Sequence, residues 1–188
     1  MKNLSDIEII ESVKRGNQAD FSLLINRYKD KAYSLLRRML KNDFDSQEVL
    51  QDCFLKAYKS LGSFRQESKF STWFYRIVYN SALSFLAGKR RKNENELTSL
   101  DDLNELVSNE NQIYAESENL ADFINKMVEK LPEKYASIIN MFYTDDMSLD
   151  EISKITGLSI VNIKVILHRS RNTLREMILK HNFQEDLL

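Results

Sequence analysis

One segment of the sequence combines side chains that could read DNA. Between Ser159 and Leu179, hydrogen-bonding and cationic side chains recur at helical spacing opposite an apolar stripe. Amide, imidazole and guanidinium groups can contact base edges and phosphates in a major groove, and an exposed valine can contact a thymine methyl. The side chains concerned are Asn162, Lys164, Val165, His168, Arg169 and Arg171. We predict a DNA-contacting helix; the alternative is an amphipathic hairpin whose charges only face solvent.

The residues before this segment predict the turn that would position it. Ser148 with Glu151 three residues later forms a capping box, which begins a short helix. Gly157 ends that helix because glycine adopts the left-handed conformation without a steric penalty, and Ser159 is placed to cap the next helix. A short capped helix, a glycine turn and a long helix with a basic outer face indicate a helix-turn-helix.

A second segment joins aromatic and basic side chains. A helix predicted to begin at Ser71 or Thr72 is dense in aromatic residues as far as Phe85, and a basic cluster at 89–92 follows it. The aromatic rings could stack on unpaired bases, and the basic side chains could hold phosphates. The same pattern suits plain core packing, and the sequence leaves the two interpretations open.

The composition indicates a helical protein without catalytic machinery. Among 188 residues there are one proline, four glycines and 43% hydrophobic residues. No apolar run approaches the ~20 residues of a membrane span, and no signal-peptide core follows Met1, so we expect a cytoplasmic protein without membrane insertion. The single cysteine, Cys53, excludes an internal disulfide. We find no nucleophile–base pair, metal-ligand spacing or phosphate loop, and therefore predict no enzymatic activity, cofactor, metal or small-molecule substrate.

The charges divide the chain into three parts. Residues 1–92 carry 18 Lys and Arg against 10 Asp and Glu, residues 93–125 carry nine acids and no Lys or Arg, and residues 126–188 carry nine of each sign. The acidic stretch is polar and only weakly periodic, apart from a possible helical turn at 103–107. We predict an all-α protein with a helical domain at 1–92, an acidic flexible linker at 93–118 and a winged-helix-like helix-turn-helix domain at 119–188.

Helix-start signals predict three helices in the first domain before the aromatic helix. Ser5 begins a first helix, Asn17 is placed to cap a long second helix, and polar residues at 42–43 are expected to break it. Asp45 with Glu48 would then begin a third helix, whose apolar side includes Cys53. In the last domain, Pro132 would occupy the first turn of a helix, where its missing N–H is tolerated.

With both halves placed, the sequence resembles the extracytoplasmic-function (ECF) group of bacterial sigma-70 family sigma factors. The resemblance covers nearly the whole chain and is carried by three motifs in order: DSQEVLQDCFLKAY at 45–58, FRQESKFSTWFYRIVYN at 64–80, and LPEKYASIINMFYTDDMSLDEISKITGLS at 131–159 followed by NIKVILHRSR. These motifs look like the family's polymerase-docking helix, its -10 recognition loop with the melting helix, and its -35-binding module.

The resemblance implies roles for individual residues. Core RNA polymerase would be bound by Asp45, Glu48, Gln51 and Asp52. The -10 element would be contacted by Lys56, Arg65, Lys69, Ser71, Thr72, Trp73, Arg76, Asn80, Lys89, Arg90 and Arg91. The -35 element would be contacted by the side chains of 162–171 already named. The implied function is promoter-specific initiation of transcription, with core RNA polymerase, promoter DNA and an anti-sigma factor as partners.

Some positions depart from the family pattern. Ile166 stands where arginine is most frequent, Gln47 replaces a frequent acid, and Ser84 and Ala87 replace an acid and a base. The rival interpretation is a stand-alone helix-turn-helix transcriptional regulator, in which the first 92 residues would serve only dimerisation or ligand binding.

Overall fold

The structure is a computed structural model that describes residues 4–97 and 120–185, with side chains described for 4–91 and 123–180. Within these ranges the chain is helical and contains no strand, which confirms the predicted all-α fold. The helices are α1 (Asp6–Lys14), α2 (Phe21–Leu40), α3 (Asp43–Ser60), α4 (Phe70–Leu97), α5 (Leu120–Glu129), α6 (Glu133–Ile139), α7 (Leu149–Thr156) and α8 (Ile160–Glu185). Two 3-10 turns, Gln18–Asp20 and Leu61–Ser63, and a π-helical turn, Asn140–Thr144, complete the described elements. None of the helices in these ranges is long and apolar enough to cross a membrane.

Side-chain caps satisfy free backbone N–H groups at the start of α1 and α3 but not of α2, and two of the predicted starts were wrong. Ser5 caps α1 as predicted. Asn17 does not cap α2, because its amide donates to the Asp20 carboxylate at 2.9 Å and a 3-10 turn intervenes. α3 begins at Asp43 instead of Asp45, since the Asn42 side chain accepts a hydrogen bond from the Asp45 N–H at 2.9 Å. Asn42 is therefore the cap of α3, whereas α2 ends before the predicted break, at Leu40, with Lys41 in the left-handed conformation at φ 53°.

The aromatic helix α4 begins earlier and ends later than predicted. It starts at Phe70, so neither Ser71 nor Thr72 caps it, and the Thr72 side chain is buried instead. Its backbone stays helical through Leu97, past the predicted domain limit at residue 92. Most of the predicted linker, including the helical turn expected at 103–107, lies outside the described residues.

Most of the aromatic side chains on α4 form the core of the first half. Phe74, Tyr75 and Tyr79 are at most 2% exposed. The ring of Phe74 stacks on Phe54 of α3, with 4.7 Å between ring centroids. These rings therefore serve core packing. Stacking on unpaired bases stays a prediction only for the side chains that are partly exposed.

The C-terminal half contains the predicted helix-turn-helix. Ser148 and Glu151 form the capping box of α7, and Gly157 ends that helix with φ 73°. The Ser159 hydroxyl accepts a hydrogen bond from the Asn162 N–H at 3.3 Å, as expected of a cap for α8. The apolar stripe of α8 packs inward, and α6 lies beneath it. Pro132 is the residue that precedes α6 and is not part of its first turn.

The two halves pack against each other. α2 contacts α6, and α4 contacts α7. The buried apolar side chains of both halves form one continuous core cluster. The sequence contained no indication of this packing.

Candidate nucleic-acid interface

The outer face of α8 carries every residue that we predicted for duplex contact. Val165 is 41% exposed, and the others are exposed as well: Asn162, Lys164, His168, Arg169 and Arg171. The opposite face anchors the helix, because Ile163, Leu167 and Ser170 are buried. A helix fixed along one side by its core presents the other side as a rigid surface, which suits insertion into a major groove.

Two of these side chains are held by neighbours on the same helix. The Asn172 amide nitrogen lies 3.2 Å from His168 Nε2, so the ring nitrogen accepts when the amide donates. Arg171 Nε donates to the backbone carbonyl of Leu167 at 3.3 Å. This bond leaves the terminal guanidinium nitrogens of Arg171 at the flank of the face, where a phosphate would lie.

Ile166 does not belong to this face. Its side chain is 8% exposed and is part of the apolar core. An arginine at this position would place a guanidinium in an apolar environment, which is unfavourable without a partner. The isoleucine therefore contributes to packing here instead of DNA contact.

A surface pocket of about 310 Å³, largely open to solvent and called the cavity below, lies between α3 and α4. It brings together Lys56 and Asn80, two side chains predicted for contact with unpaired bases. The cavity is lined by Lys56, Ser60, Ile77, Asn80, Ser81 and Ser84. An ammonium group, an amide and three hydroxyl groups can donate to or accept from the edge of a base, and Ile77 supplies an apolar surface for its face.

Sequence reasoning missed Ser60, Ile77, Ser81 and Ser84 as lining residues. Helical spacing could have found two of them, since Ile77 and Ser84 lie three residues before and four residues after Asn80 on the same side of a helix. Ser81 has a more specific role, because its hydroxyl accepts a hydrogen bond from Lys56 Nζ at 3.1 Å. Next to it, burial raises the pKa of the Cys53 thiol, so Cys53 is a poor nucleophile and serves as core.

The loop before α4 contributes less to this cavity than predicted. Phe64 is buried, and its ring lies 5.1 Å from that of Trp73, which is half-buried. Arg65 and Arg76 are exposed, whereas Ser71 is half-buried and Thr72 is 5% exposed. None of these side chains lines the cavity. The predicted -10 residues of the loop and of the start of α4 are thus separate from the cavity residues Lys56 and Asn80.

Lys69 of this loop is bound to the other half of the protein. Its ammonium lies 2.9 Å from Glu151 Oε1, in the capping box of α7. The hydrogen bond from Lys69, together with the capping bonds, lowers the pKa of the Glu151 carboxyl. The first helix of the helix-turn-helix therefore contacts a residue predicted to bind promoter DNA.

The acidic side of α3 remains accessible, with one exception. Glu48, Gln51 and Asp52 are exposed. The Asp45 side chain is only 18% exposed, because it accepts a hydrogen bond from Lys89 Nζ at 3.1 Å. The structure thus joins a residue predicted for polymerase binding to one predicted for DNA binding, while Arg90 and Arg91 stay exposed.

Two large apolar side chains extend this acidic side. Phe44 is 76% exposed and Leu55 is 56% exposed. They lie eleven positions apart, which corresponds to three helical turns on one side of α3. An acidic surface flanked by exposed apolar groups is typical of a protein-binding site. Among the described side chains, no group of three or more His, Cys, Asp and Glu residues could hold a metal ion.

Comparison with known proteins identifies both halves. The family model for Sigma-70 region 2 matches residues 24–92, and the model for Sigma-70, region 4 matches residues 124–174. The ECF RNA polymerase sigma factor SigW of Bacillus subtilis is 33% identical over 178 residues, which cover 90% of this chain and 94% of the relative. The ECF RNA polymerase sigma-E factor of Escherichia coli is 31% identical over 182 residues, which cover 92% and 94%.

Two solved structures share the fold. One is CnrH in complex with the cytosolic domain of CnrY, with a TM-score of 0.63 and 22% identity, covering 90% of this chain and 94% of that chain. The other is the sigma factor RpoE in complex with the anti-sigma factor NepR from Bartonella quintana, with a TM-score of 0.63 and 22% identity, covering 85% and 96%.

Proposed function

The chain belongs to the ECF group of sigma-70 family sigma factors, and we propose that its two nucleic-acid surfaces read the two elements of a bacterial promoter. As a member of this family, the chain directs promoter-specific initiation of transcription together with core RNA polymerase. The observation that carries the assignment of surfaces is the presence, in one chain, of an exposed duplex-reading face and a separate cavity suited to an unpaired base.

The -35 element is read by α8. Arg169 and Asn162 can donate to base edges, Lys164 and Arg171 can contact phosphates, and Val165 can pack against a thymine methyl. The His168 ring can accept or donate a hydrogen bond, depending on its partner. Because Ile166 is buried, it takes no part in this contact.

The -10 element is captured after the strands separate. Taking a base out of the stack costs a few kcal/mol, and a protein pocket offsets part of that cost by hydrogen bonds and apolar contact. Asn80 and Lys56 provide the hydrogen bonds in the cavity between α3 and α4. Arg65, Arg76, Arg90 and Arg91 are exposed outside the cavity and hold phosphates.

Three residues predicted to contact the -10 element are less exposed than such a contact requires. Thr72, Ser71 and Trp73 are buried or half-buried, so we assign them to shaping the loop. Lys69 and Lys89 reach DNA only after leaving Glu151 and Asp45.

Core polymerase is bound by the acidic side of α3. Glu48, Gln51 and Asp52 supply the charge, and Asp45 joins them when Lys89 moves to DNA. Phe44 and Leu55 supply apolar area at either end of the same side. In protein interfaces such apolar groups contribute much of the affinity, whereas rim charges mainly set orientation and association rate.

Three further parts of the proposal rest on the family. Because one solved neighbour is a sigma factor bound to an anti-sigma factor, we assign an anti-sigma factor to this chain as a regulator. We keep the domain limits at 1–92 and 119–188, joined by 93–118, with the end of α4 extending into the joining segment as far as Leu97. Sigma factors are initiation factors without catalytic activity of their own, so the chain acts by binding, and it does so in the cytoplasm with the polymerase.

Reconstitution with core RNA polymerase tests this function. The purified chain and core polymerase are incubated with a pool of bacterial promoter fragments, and run-off transcripts are sequenced. We expect defined start sites that appear only when both proteins are present. A stand-alone regulator would instead bind duplex DNA tightly by itself at near-physiological salt and would not co-purify with core polymerase.

A further inference from the structure

The first helix lies beside the loop at 64–69, which we propose to contact the -10 element. α1 precedes residues 24–92, the part matched by the model for Sigma-70 region 2, and the proposed function assigns no role to it. Its apolar side, which includes Ile10 and Val13, packs into the core. α1 also contacts the 3-10 turn Leu61–Ser63, which leads directly into the loop. The helix is therefore placed to act on the shape of the loop.

Phe64 at the start of the loop is bound through both its backbone and its side chain. The Lys14 ammonium of α1 donates to the Phe64 carbonyl oxygen at 3.1 Å. The Phe64 N–H donates to the Leu61 carbonyl at 3.2 Å. The Phe64 ring is buried and packs against Phe70 and Trp73, with 5.9 and 5.1 Å between ring centroids. Because the bond from Lys14 is charge-assisted, it fixes the direction of the carbonyl more firmly than a neutral donor would.

The other end of the loop is supported by α1 through α2. Asp6, the first residue of α1, accepts hydrogen bonds from Arg27 and Tyr28 of α2. The Tyr28 ring packs against Phe70, the first residue of α4, with 5.5 Å between ring centroids. Burial, followed by the bond to Asp6, raises the pKa of the Tyr28 hydroxyl, so this group stays a neutral donor. The two ends of α1 thus support the two ends of the loop.

Between these supports the loop contains an unfavourable backbone conformation. Gln66 has φ 58°, in the left-handed region that residues other than glycine rarely adopt. Gln66 is exposed, so burial of its own side chain does not explain this conformation. Residues persist in such conformations when the surrounding structure determines them, and they cluster at binding sites. The bond from Lys14 fixes the chain two residues before Gln66.

We propose that Lys14 is a positioning residue for promoter recognition, because its bond to the Phe64 carbonyl keeps the loop at 64–69 in the shape that binds the -10 strand. This rests on the proposed function, which assigns Arg65 and Lys69 of the loop to the -10 element. A loop that is ordered before binding loses less conformational entropy when DNA binds, so its affinity is higher. Lys14 acts through the loop and does not contact the DNA.

Binding of single-stranded -10 DNA tests this role. The chain is assembled with core RNA polymerase, and fluorescence anisotropy measures its affinity for the labelled non-template strand of a promoter identified by the run-off sequencing. Lys14→Met removes the ammonium and keeps an apolar stem, whereas Arg15→Met removes the same charge from the next, exposed position. We expect Lys14→Met to bind the strand about five-fold more weakly, as for the loss of one net hydrogen bond, and Arg15→Met to stay within about two-fold of the wild type.

Conservative replacement and two controls separate positioning from a general loss of structure. Lys14→Arg can still donate to the Phe64 carbonyl and should restore most of the affinity. The unfolding midpoint and the affinity for core polymerase should be the same for all three variants and the wild type. Wild-type strand affinity of Lys14→Met would overturn the inference. If the wild-type assembly itself does not bind the strand, the proposed function is what fails.

The salt dependence separates positioning from a direct contact with DNA. A lysine that neutralises a phosphate of single-stranded DNA contributes about 0.7 to the slope of log affinity against log salt concentration. Lys14→Met should lower the affinity by the same factor at every salt concentration and leave this slope unchanged. A slope reduced by about that amount would show that Lys14 binds a phosphate, and would overturn the inference.

Gln66 provides a second test of the same loop shape. Gln66→Val places a β-branched side chain where φ is positive, which is strongly disfavoured, and should weaken strand binding as Lys14→Met does. Gln66→Gly, which adopts positive φ readily, should weaken it less. Because Lys14→Met and Gln66→Val release the same conformation, the double variant should bind little more weakly than either single variant. Fully additive effects would mean that the two residues act separately, against the inference.

Discussion

The helices α8 and α4 carry the two predicted nucleic-acid surfaces, and they differ in how many of the predicted contact residues are exposed and lie together. On α8, every predicted contact residue is exposed. Around α4, the predicted residues divide among a cavity, a loop tied to α7, a buried position and an exposed basic end. The cause is how the neighbouring helices are arranged. α5, α6 and α7 cover α8 along one side only, whereas α2, α3 and α7 bury α4 on more than one side.

This difference shows when a helical pattern predicts function. If one side of a helix is covered, its polar residues face solvent and their chemistry can be assigned from spacing. If a helix is covered from several directions, aromatic residues belong mostly to the core, and only a narrow strip remains for binding. On α4, Ile77, Asn80 and Ser84 form this strip. The predictions below test the contrast, beginning with the largest expected effect.

The largest effect should come from the buried rings of α4. Phe74→Ala removes a fully buried ring that stacks on Phe54 and lies 5.9 Å from Phe70. We expect a loss of about 3–5 kcal/mol in unfolding free energy, measured by urea denaturation. Leu83→Ala, on the exposed side of the same helix, should change it by less than about 1 kcal/mol. Equal effects would mean that α4 is not divided into a core side and a surface strip.

On α8, neighbouring residues should separate stability from DNA contact. Ile166→Ala creates a cavity in the core and should cost about 2–4 kcal/mol of stability, with an unchanged preference for the -35 sequence once the protein is folded. Val165→Ala should leave stability within about 0.5 kcal/mol and weaken the preference for thymine at one -35 position. For each variant, thermal unfolding measures the stability, and run-off transcription on promoters with single-base changes measures the -35 preference. A -35 preference that changes with Ile166 would contradict its assignment to the core.

Local sequence patterns predict much of the difference between α8 and α4, but they do not predict contacts between residues far apart in the chain. The capping box at Ser148, the Gly157 turn and the exposed face of α8 depend on residues within a few positions of each other, so spacing alone predicts them. The Lys89–Asp45 and Lys69–Glu151 pairs join positions far apart in sequence, and no local pattern reports them. The early start of α3 was missed because polar residues at 42–43 suit a break between helices, whereas here Asn42 caps α3 and Asp43 is its first residue.

A smaller effect is expected at the side of α3 that we propose to bind core polymerase. Glu48→Lys reverses an exposed charge without breaking the Asp45–Lys89 pair, and should weaken binding to core polymerase by about 1 kcal/mol, mainly through slower association. Asp30→Lys, an equal change on the exposed side of α2, is the matched control. Surface plasmon resonance at two salt concentrations measures both variants, and the unfolding transition shows that each is folded. Equal binding by the two variants would remove this side of α3 from the interface.

Run-off transcription on three templates tests most directly the claim that α4 and α8 serve different promoter elements. The templates are a duplex promoter, the same promoter mismatched across the -10 element, and a promoter without a -35 element. Asn80→Ala should strongly reduce transcription from the duplex promoter. Transcription from the mismatched template should recover only in part, because the side chain contributes to melting and to base capture. Arg169→Ala should weaken promoter binding by about 1–3 kcal/mol on the first two templates and have no effect on the third. The same dependence on template for both variants would contradict the assignment of separate elements to the two surfaces.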